Sequence, residues 1–127
     1  HRQMLLSATY RQASAAASAR AARVDPDNRL LWRMNRRRLS AEALRDSLLS
    51  AAGTLDLRAG GEPARDFATP RRTVYTISIR SDRTGFGPLF DMADSTNGVE
   101  RRTESLVAPQ ALYLLHSDFV QDQAARL

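Results

Sequence analysis

The chain has 127 residues, 43% of them hydrophobic, and its 19 basic and 14 acidic residues give a formal net charge of +5. This length predicts one domain or part of one, and no apolar stretch is long enough to form a transmembrane segment. The absence of cysteine excludes a disulfide scaffold, a zinc site with cysteine ligands and a cysteine nucleophile.

Residues 1–12 are typical of the end of a helix. The alanine- and serine-rich stretch 14–24 predicts either a continuation of that helix or a mobile segment. The sequence Asp-Pro-Asp-Asn that begins at Asp25 predicts a turn, because proline fixes its own φ and the Asp and Asn side chains bond to nearby backbone groups.

The clearest helix follows Ser40, whose hydroxyl can accept a backbone N–H of the first turn. Gly53 can take the left-handed conformation that ends such a helix. Glu42 and Arg45 lie three positions apart, so we expect them to pair on the outer side. The apolar side is predicted to consist of Ala41, Leu44, Leu48 and Ala51.

A strand is predicted over Arg72–Arg80, after a loop over residues 54–70 that is rich in glycine and proline. Polar and apolar side chains alternate along this stretch, so Tyr75, Ile77 and Ile79 are expected to belong to the core.

The C-terminal third predicts short helical pieces separated by turns. A helical turn is expected at Pro88–Ala93, a turn at Asp94–Gly98 and an extended piece at Glu104–Val107. Pro109 suits the first position of a helix, where its missing N–H has no intrahelical partner to lose. Ser117 is expected to cap the last helix. The predicted fold is mainly α with a small β element: one helical domain over 1–127, with one or two short strands and long loops.

The usual signatures of catalysis are not visible in the sequence. The two histidines, His1 and His116, have no acidic neighbours at the spacing of a metal site, and His116 is expected to be a helix cap or a half-buried packing residue. A phosphate-binding Walker loop needs a lysine, and all 19 basic residues are arginine. There is no CxxCH motif, so the chain itself is predicted to bind no cofactor.

Arg36-Arg37-Arg38 is the densest run of charge and allows two interpretations. It can be a short nucleic-acid patch with Trp32 as a stacking residue. It can also be a loop whose arginines pair with Glu42 or Asp46 of the following helix, which we favour because surface ion pairs are common and individually weak. A buried charge network around the start of that helix would consist of Arg36, Arg38, Glu42, Arg45 and Asp46.

Several short stretches, taken in order, carry a family resemblance. They are Ser7–Gln12, Asp25–Leu31, Asn35–Leu39 with Ala41–Ala43 and Arg45-Asp46, Phe90-Asp91, Arg101-Arg102, and Val107–Leu112 with Leu114-Leu115 and Phe119-Val120. Together they resemble the C-terminal domain of unknown function, called the PSD domain, of large planctomycete-type exported proteins. The resemblance implies an internal piece of a larger domain, in an exported protein of the periplasm or cell surface.

Proteins of that family often also carry a cytochrome-c-like domain, so any haem is expected elsewhere in the parent protein. The resemblance implies first a structural or interaction module with a redox link, whose partners are other domains of the parent. A second hypothesis is part of a carbohydrate-active enzyme site for an anionic polysaccharide, since arginines bind sulfate and carboxylate groups in bidentate fashion. Its candidate ligand-binding residues are Arg36, Arg38, Asp91, Arg101 and Gln110. Nucleic-acid binding is the third and least favoured hypothesis, because basic composition alone is weak evidence.

Overall fold

A computed structural model describes residues 1–15, 17–79, 85–94, 96, 98 and 100–127. The chain divides into two compact units, the first unit (residues 1–38) and the second unit (residues 39–127). Within the described residues, helices supply nearly all the regular structure, and isolated bridge pairs supply the little β structure. The predicted mainly α fold with long loops is confirmed.

The first unit contains two short helices, α1 (Arg2–Leu6) and α2 (Ala19–Val24). α1 is shorter than the predicted helix, because Ser7 turns extended and its hydroxyl bonds back to a carbonyl of the last turn at 2.8 Å. The Ser18 hydroxyl accepts a backbone N–H at 3.2 Å and so begins α2, which occupies the second half of the stretch 14–24.

The four-residue turn that begins at Asp25 holds the first unit together, and it is confirmed as predicted. Both carboxylate oxygens of Asp25 accept backbone N–H groups, from Arg29 at 2.9 Å and Leu30 at 2.8 Å. Asn28 adopts the left-handed conformation that asparagine tolerates well. Its side-chain amide donates to the Arg33 carbonyl at 2.7 Å and accepts the Arg33 N–H at 3.2 Å.

In the second unit, α3 (Ala41–Ala51) begins and ends where the sequence predicts. The Ser40 hydroxyl accepts a backbone N–H of the first turn at 3.3 Å, and Gly53 has a φ of +68° just beyond the last turn. The predicted apolar stripe is confirmed in part, since Ala41 is buried and Leu44 packs against the core. Arg45 and Leu49 are buried as well, whereas Ala51 is exposed.

The strand predicted over Arg72–Arg80 is wrong for the described residues 72–79. Thr73–Tyr75 instead form a 3₁₀ turn, because Thr73 is bound by a carboxylate of α3. Isolated bridges pair Asp56 with Arg71 and Ala64 with Thr76, and no longer strand occurs in the described part of the second unit. The predicted burial of Ile77 and Ile79 is wrong as well, since these side chains are 39% and 55% exposed.

Four aromatic rings form the core of the second unit. The ring centroid of Phe86 lies 4.6 Å from that of Phe90, 5.7 Å from that of Phe67 and 5.8 Å from that of Tyr113. Ala41 of α3 packs into the same cluster. Such ring contacts add about 0.5–1.5 kcal/mol per pair to the free energy of apolar burial.

Three further helices surround this core: α4 (Phe86–Leu89), α5 (Ala108–His116) and α6 (Asp118–Ala124). α4 begins two residues before the predicted helical turn, because Phe86 is drawn into the core. The turn predicted at Asp94–Gly98 lies partly outside the described residues.

The starts of α5 and α6 follow the prediction. Pro109 lies in the first turn of α5, and Val107 before it is extended. Ser117 precedes α6, although its hydroxyl makes no capping bond. The Gln123 side chain of α6 accepts a hydrogen bond from the Thr54 hydroxyl beyond α3 at 2.7 Å. Over the described ranges, every helix is too short or too polar to cross a bilayer.

Candidate functional site

The residues predicted to bind an anionic polysaccharide are divided between the two units. The first unit holds two of them and the second unit holds three. Two members of the second group share a neighbour, Ser105, whereas Arg101 is exposed on the surface. The full set is Arg36, Arg38, Asp91, Arg101 and Gln110.

Asp91, Ser105 and Gln110 form a hydrogen-bonded cluster that we call the Ser105 clasp. The Asp91 carboxylate accepts the Ser105 backbone N–H at 2.7 Å and the Ser105 hydroxyl at 2.8 Å. The Gln110 side-chain amide donates to the Ser105 hydroxyl at 3.1 Å and to the Leu89 carbonyl at 2.9 Å. Because Leu89 ends α4 and Gln110 lies in α5, the clasp fixes these two helices relative to each other.

The hydrogen bonds of the Ser105 clasp have a structural role. Gln110 is buried, and its carbonyl oxygen accepts the Val107 N–H at 3.3 Å. Both ends of its amide are therefore engaged by protein groups. A buried polar side chain that is fully hydrogen-bonded holds its surroundings in one arrangement. The site for an anionic polysaccharide stays a prediction, since its five candidate residues are divided between the two units.

The most deeply buried charged group is Arg45, whose side chain is 0% exposed. Its Nε donates to the Phe67 carbonyl at 2.9 Å, and Nη2 donates to the Thr69 carbonyl at 2.5 Å. Its Nη1 donates to the Arg71 carbonyl at 2.8 Å and to the Thr73 hydroxyl at 3.0 Å. One side chain of α3 thus satisfies three carbonyls of the loop 67–71, which has no regular secondary structure.

Asp46 completes this arrangement, which we call the Arg45 cluster (Arg45, Asp46, Thr73 and the loop 67–71). Its Oδ1 lies 3.5 Å from Nη1 of Arg45. The same oxygen accepts the Thr73 backbone N–H at 2.8 Å and the Thr73 hydroxyl at 2.6 Å. Burial lowers the pKa of the Arg45 guanidinium, and the carboxylates of Asp46 and Asp66 oppose that shift. An arginine remains charged even so, because its ordinary pKa is far above neutral.

The predicted pairing of Glu42 with Arg45 is wrong. Of the predicted charge network, the Arg45–Asp46 contact is confirmed. Glu42 instead forms an ion pair with Arg102, whose Nη1 lies 2.8 Å from Oε2 of the Glu42 carboxylate. Partial burial alone would raise the Glu42 pKa, but the hydrogen bonds from Arg102, its own backbone and Ser40 outweigh that effect and lower it.

Two acidic side chains of the loop after α3 also prefer the ionised form. The side-chain hydrogen bond from Arg58 holds the pKa of Asp56 at about 2. The hydroxyl of Thr69 lowers the pKa of Asp66, which also accepts the Thr69 backbone N–H at 2.8 Å. The Asp66 carboxylate thereby shapes the loop whose carbonyls bind Arg45, since it also accepts the Ala68 N–H at 2.9 Å.

No metal site is present among the described residues, because no three His, Cys, Asp or Glu side chains come together in them. His116 lies in the last turn of α5 and is exposed, so the half-buried packing role is wrong for it. A basic residue at this end of a helix interacts favourably with the helix dipole when it is protonated.

Fold and buried side chains together define a helical domain in which polar residues hold long loops in place. The family model PSD1, described as a protein of unknown function (DUF1553), matches residues 1–127. The chain therefore belongs to this family, which confirms the resemblance at the level of a domain of unknown function. No curated protein and no solved structure matches the chain.

Proposed function

We propose that this chain is a structural and interaction module of a multidomain, exported bacterial protein of planctomycete type. Its place of action is the periplasm or cell surface, and its parent carries a cytochrome-c-like domain that supplies the redox link. The family membership supports the resemblance on which this proposal is built. The outer face of α5 supports the role as an interaction module, and the buried polar residues of the second unit support the structural role.

The outer face of α5 is apolar where a surface helix is normally charged. Leu112 and Leu115 are 55% and 62% exposed on this face. Ala108 and Ala111 share it, since side chains three and four positions apart lie together on a helix. The opposite side of α5 carries Gln110, which binds α4.

The residues beside α5 extend the same apolar surface. Leu106, two residues before the helix, is 92% exposed, and Val107 is exposed as well. Contiguous exposed apolar groups of this kind mark a contact surface for another protein. The partner we propose is another domain of the same parent protein, because burial against a permanently attached domain removes these leucines from water.

The buried polar residues of the second unit support a structural role. The side chains of Arg45 and Gln110 donate hydrogen bonds to backbone carbonyls of other segments. The Thr73 hydroxyl accepts from Arg45 and donates to Asp46. Their physical task is to hold the loop 67–71 and the α4–α5 junction in place. They thereby fix the framework from which α5 projects its apolar face.

Photo-cross-linking from α5 tests this proposal in the full-length parent protein. A benzophenone amino acid at Leu115 is expected to form an intramolecular cross-link to a residue outside this chain, detected by peptide mass spectrometry. The matched control carries the same group at Arg65, which is exposed and lies just before the loop 67–71, and should give no such product. Equal cross-linking from both positions, or none from position 115, contradicts a covered α5 face.

A further inference from the structure

The first unit contains an apolar pocket of about 500 Å³. Met4 of α1 and Tyr10 form part of its wall, and Leu31 and Met34 form another part. Arg33 is the charged residue of the lining. This volume is within the range of sites that take a small molecule or a group of side chains from a partner.

The pocket is built from segments that are held in position. The Met34 backbone N–H bonds to the Ala13 carbonyl at 3.3 Å, which joins the two walls. The hydrogen bonds of Asn28 to Arg33 fix the chain just before Met34. Methionine side chains adapt their shape to different apolar groups, so the pocket can accept more than one kind of side chain.

The first unit carries a strong excess of positive charge. Nine of the 19 arginines fall within residues 1–38, against two of the 14 acidic residues. One of the two, Asp25, is buried with both carboxylate oxygens bound to backbone N–H groups. Arg33 lines the pocket, and its guanidinium lies 5.3 Å from the ring centroid of Trp32. The first unit therefore combines an apolar pocket that is open to solvent with an excess of arginines, one of which lines the pocket.

We propose that the pocket of the first unit binds an acidic amphipathic peptide segment of a partner protein. An apolar side chain of that segment enters between Met4 and Met34, and its carboxylates meet Arg33 and the neighbouring arginines. This inference rests on the proposed function as an interaction module. It assigns a second surface, separate from the α5 face, and the chemistry of its partner.

The shape and lining of the pocket favour a peptide over other anionic partners. A concave cavity receives a protruding side chain, whereas a bilayer surface offers none. Nucleic acid binds through phosphates and through bases stacked on aromatic rings. Tyr10 is the sole aromatic residue of the pocket lining, and the methionines and Leu31 offer no stacking surface. An amphipathic helix that lies along the pocket can place its apolar side chains against the apolar walls and its carboxylates close to Arg33.

The test uses the 127-residue chain and a fluorescein-labelled synthetic peptide of 18 residues, with leucine and phenylalanine on one helical face and glutamate on the other. We expect saturable binding by fluorescence anisotropy that weakens with salt. Met4→Glu should weaken peptide binding at least tenfold. Leu6→Glu should leave peptide binding unchanged, because Leu6 is also exposed on α1 but does not line the pocket. Arg33→Gln should weaken it severalfold, and Arg20→Gln of α2 should not.

Circular dichroism verifies that each variant keeps its helices, since Met4, Leu6 and Arg20 are exposed in the parent fold. Two further probes have the glutamates replaced by glutamine or the same residues in scrambled order, and both should bind at least tenfold more weakly. The proposal is overturned if the acidic peptide does not bind, if the scrambled peptide or a single-stranded oligonucleotide binds as well, or if Leu6→Glu weakens binding as much as Met4→Glu. None of these results bears on cross-linking from α5, so the two proposals fail separately.

Discussion

Arg45→Met is expected to lower the free energy of unfolding by about 3–5 kcal/mol, the usual effect of removing one partner from a buried ionic network. The guanidinium binds the carbonyls of Phe67, Thr69 and Arg71 and the hydroxyl of Thr73. Methionine fills similar space and supplies no donor. Three partly buried carbonyls then lose their donor, and Asp46 loses its cationic neighbour while it keeps the hydrogen bonds from Thr73. Each carbonyl that cannot reach water costs about 1–3 kcal/mol.

Urea unfolding monitored by circular dichroism measures this effect, and two variants control it. Arg65→Met replaces an exposed arginine just before the loop 67–71 and should change stability by less than about 0.5 kcal/mol. Arg45→Lys keeps the charge but cannot reproduce the planar fork of four donated bonds, so its loss should be intermediate. An Arg45→Met variant as stable as the parent would show that the Arg45 cluster does not hold the loop.

Phe86→Ala is expected to destabilise the second unit by about 3–5 kcal/mol, the range for truncation of a buried phenylalanine. Phe86 is the central ring of the core, with Phe67, Phe90 and Tyr113 around it at centroid distances of 4.6–5.8 Å. Removing the central ring deletes all three contacts and leaves a cavity that its neighbours cannot close without moving α4.

The same urea titration tests this prediction. Leu106→Ala removes an apolar side chain that is 92% exposed, so it should change stability by less than about 0.5 kcal/mol. Phe86→Leu retains most of the apolar volume and should fall between the two. Equal losses for Phe86→Ala and Leu106→Ala would contradict the position of the core.

Local signals in the sequence were sufficient to predict α3 and the turn at Asp25. A serine cap, a helical run of good helix formers and a closing glycine act within a few residues of one another, so Ser40 and Gly53 determine the ends of α3 on their own. The turn at Asp25 is equally local, because its side chains bond to backbone groups four and five residues away.

The buried side of α3 could not be predicted in the same way. The polarity of arginine predicts an exposed side chain at position 45. The carbonyls that Arg45 binds lie 22–26 residues further along the chain, so no local pattern indicates its burial. The only sequence signal is that Arg45 stands four positions from both Ala41 and Leu49. Likewise the alternation around Ile77 is typical of a strand, yet Asp46 of α3 binds Thr73 and turns the chain just before it.

Part of the candidate site was predictable. Asp91 and Gln110 are predicted ligands of an anionic polysaccharide, and the structure brings them together around Ser105, where they link α4 and α5. Their side chains supply hydrogen-bond partners to the Ser105 N–H and the Leu89 carbonyl. The apolar outer face of α5 is visible in the sequence as Ala-Pro-Gln-Ala-Leu-Tyr-Leu-Leu, but only the structure shows which of these residues face outward.

The measurement that tests the central claim most directly is the stability effect of Leu115→Lys, determined in this chain alone and in the full-length parent. A lysine near the end of α5 suits the helix dipole, so the isolated chain should change by less than about 0.5 kcal/mol. In the parent, burial of the charge under a neighbouring domain should cost at least about 2 kcal/mol. The same small effect in both proteins would contradict the account, because it would mean that no domain covers the outer face of α5.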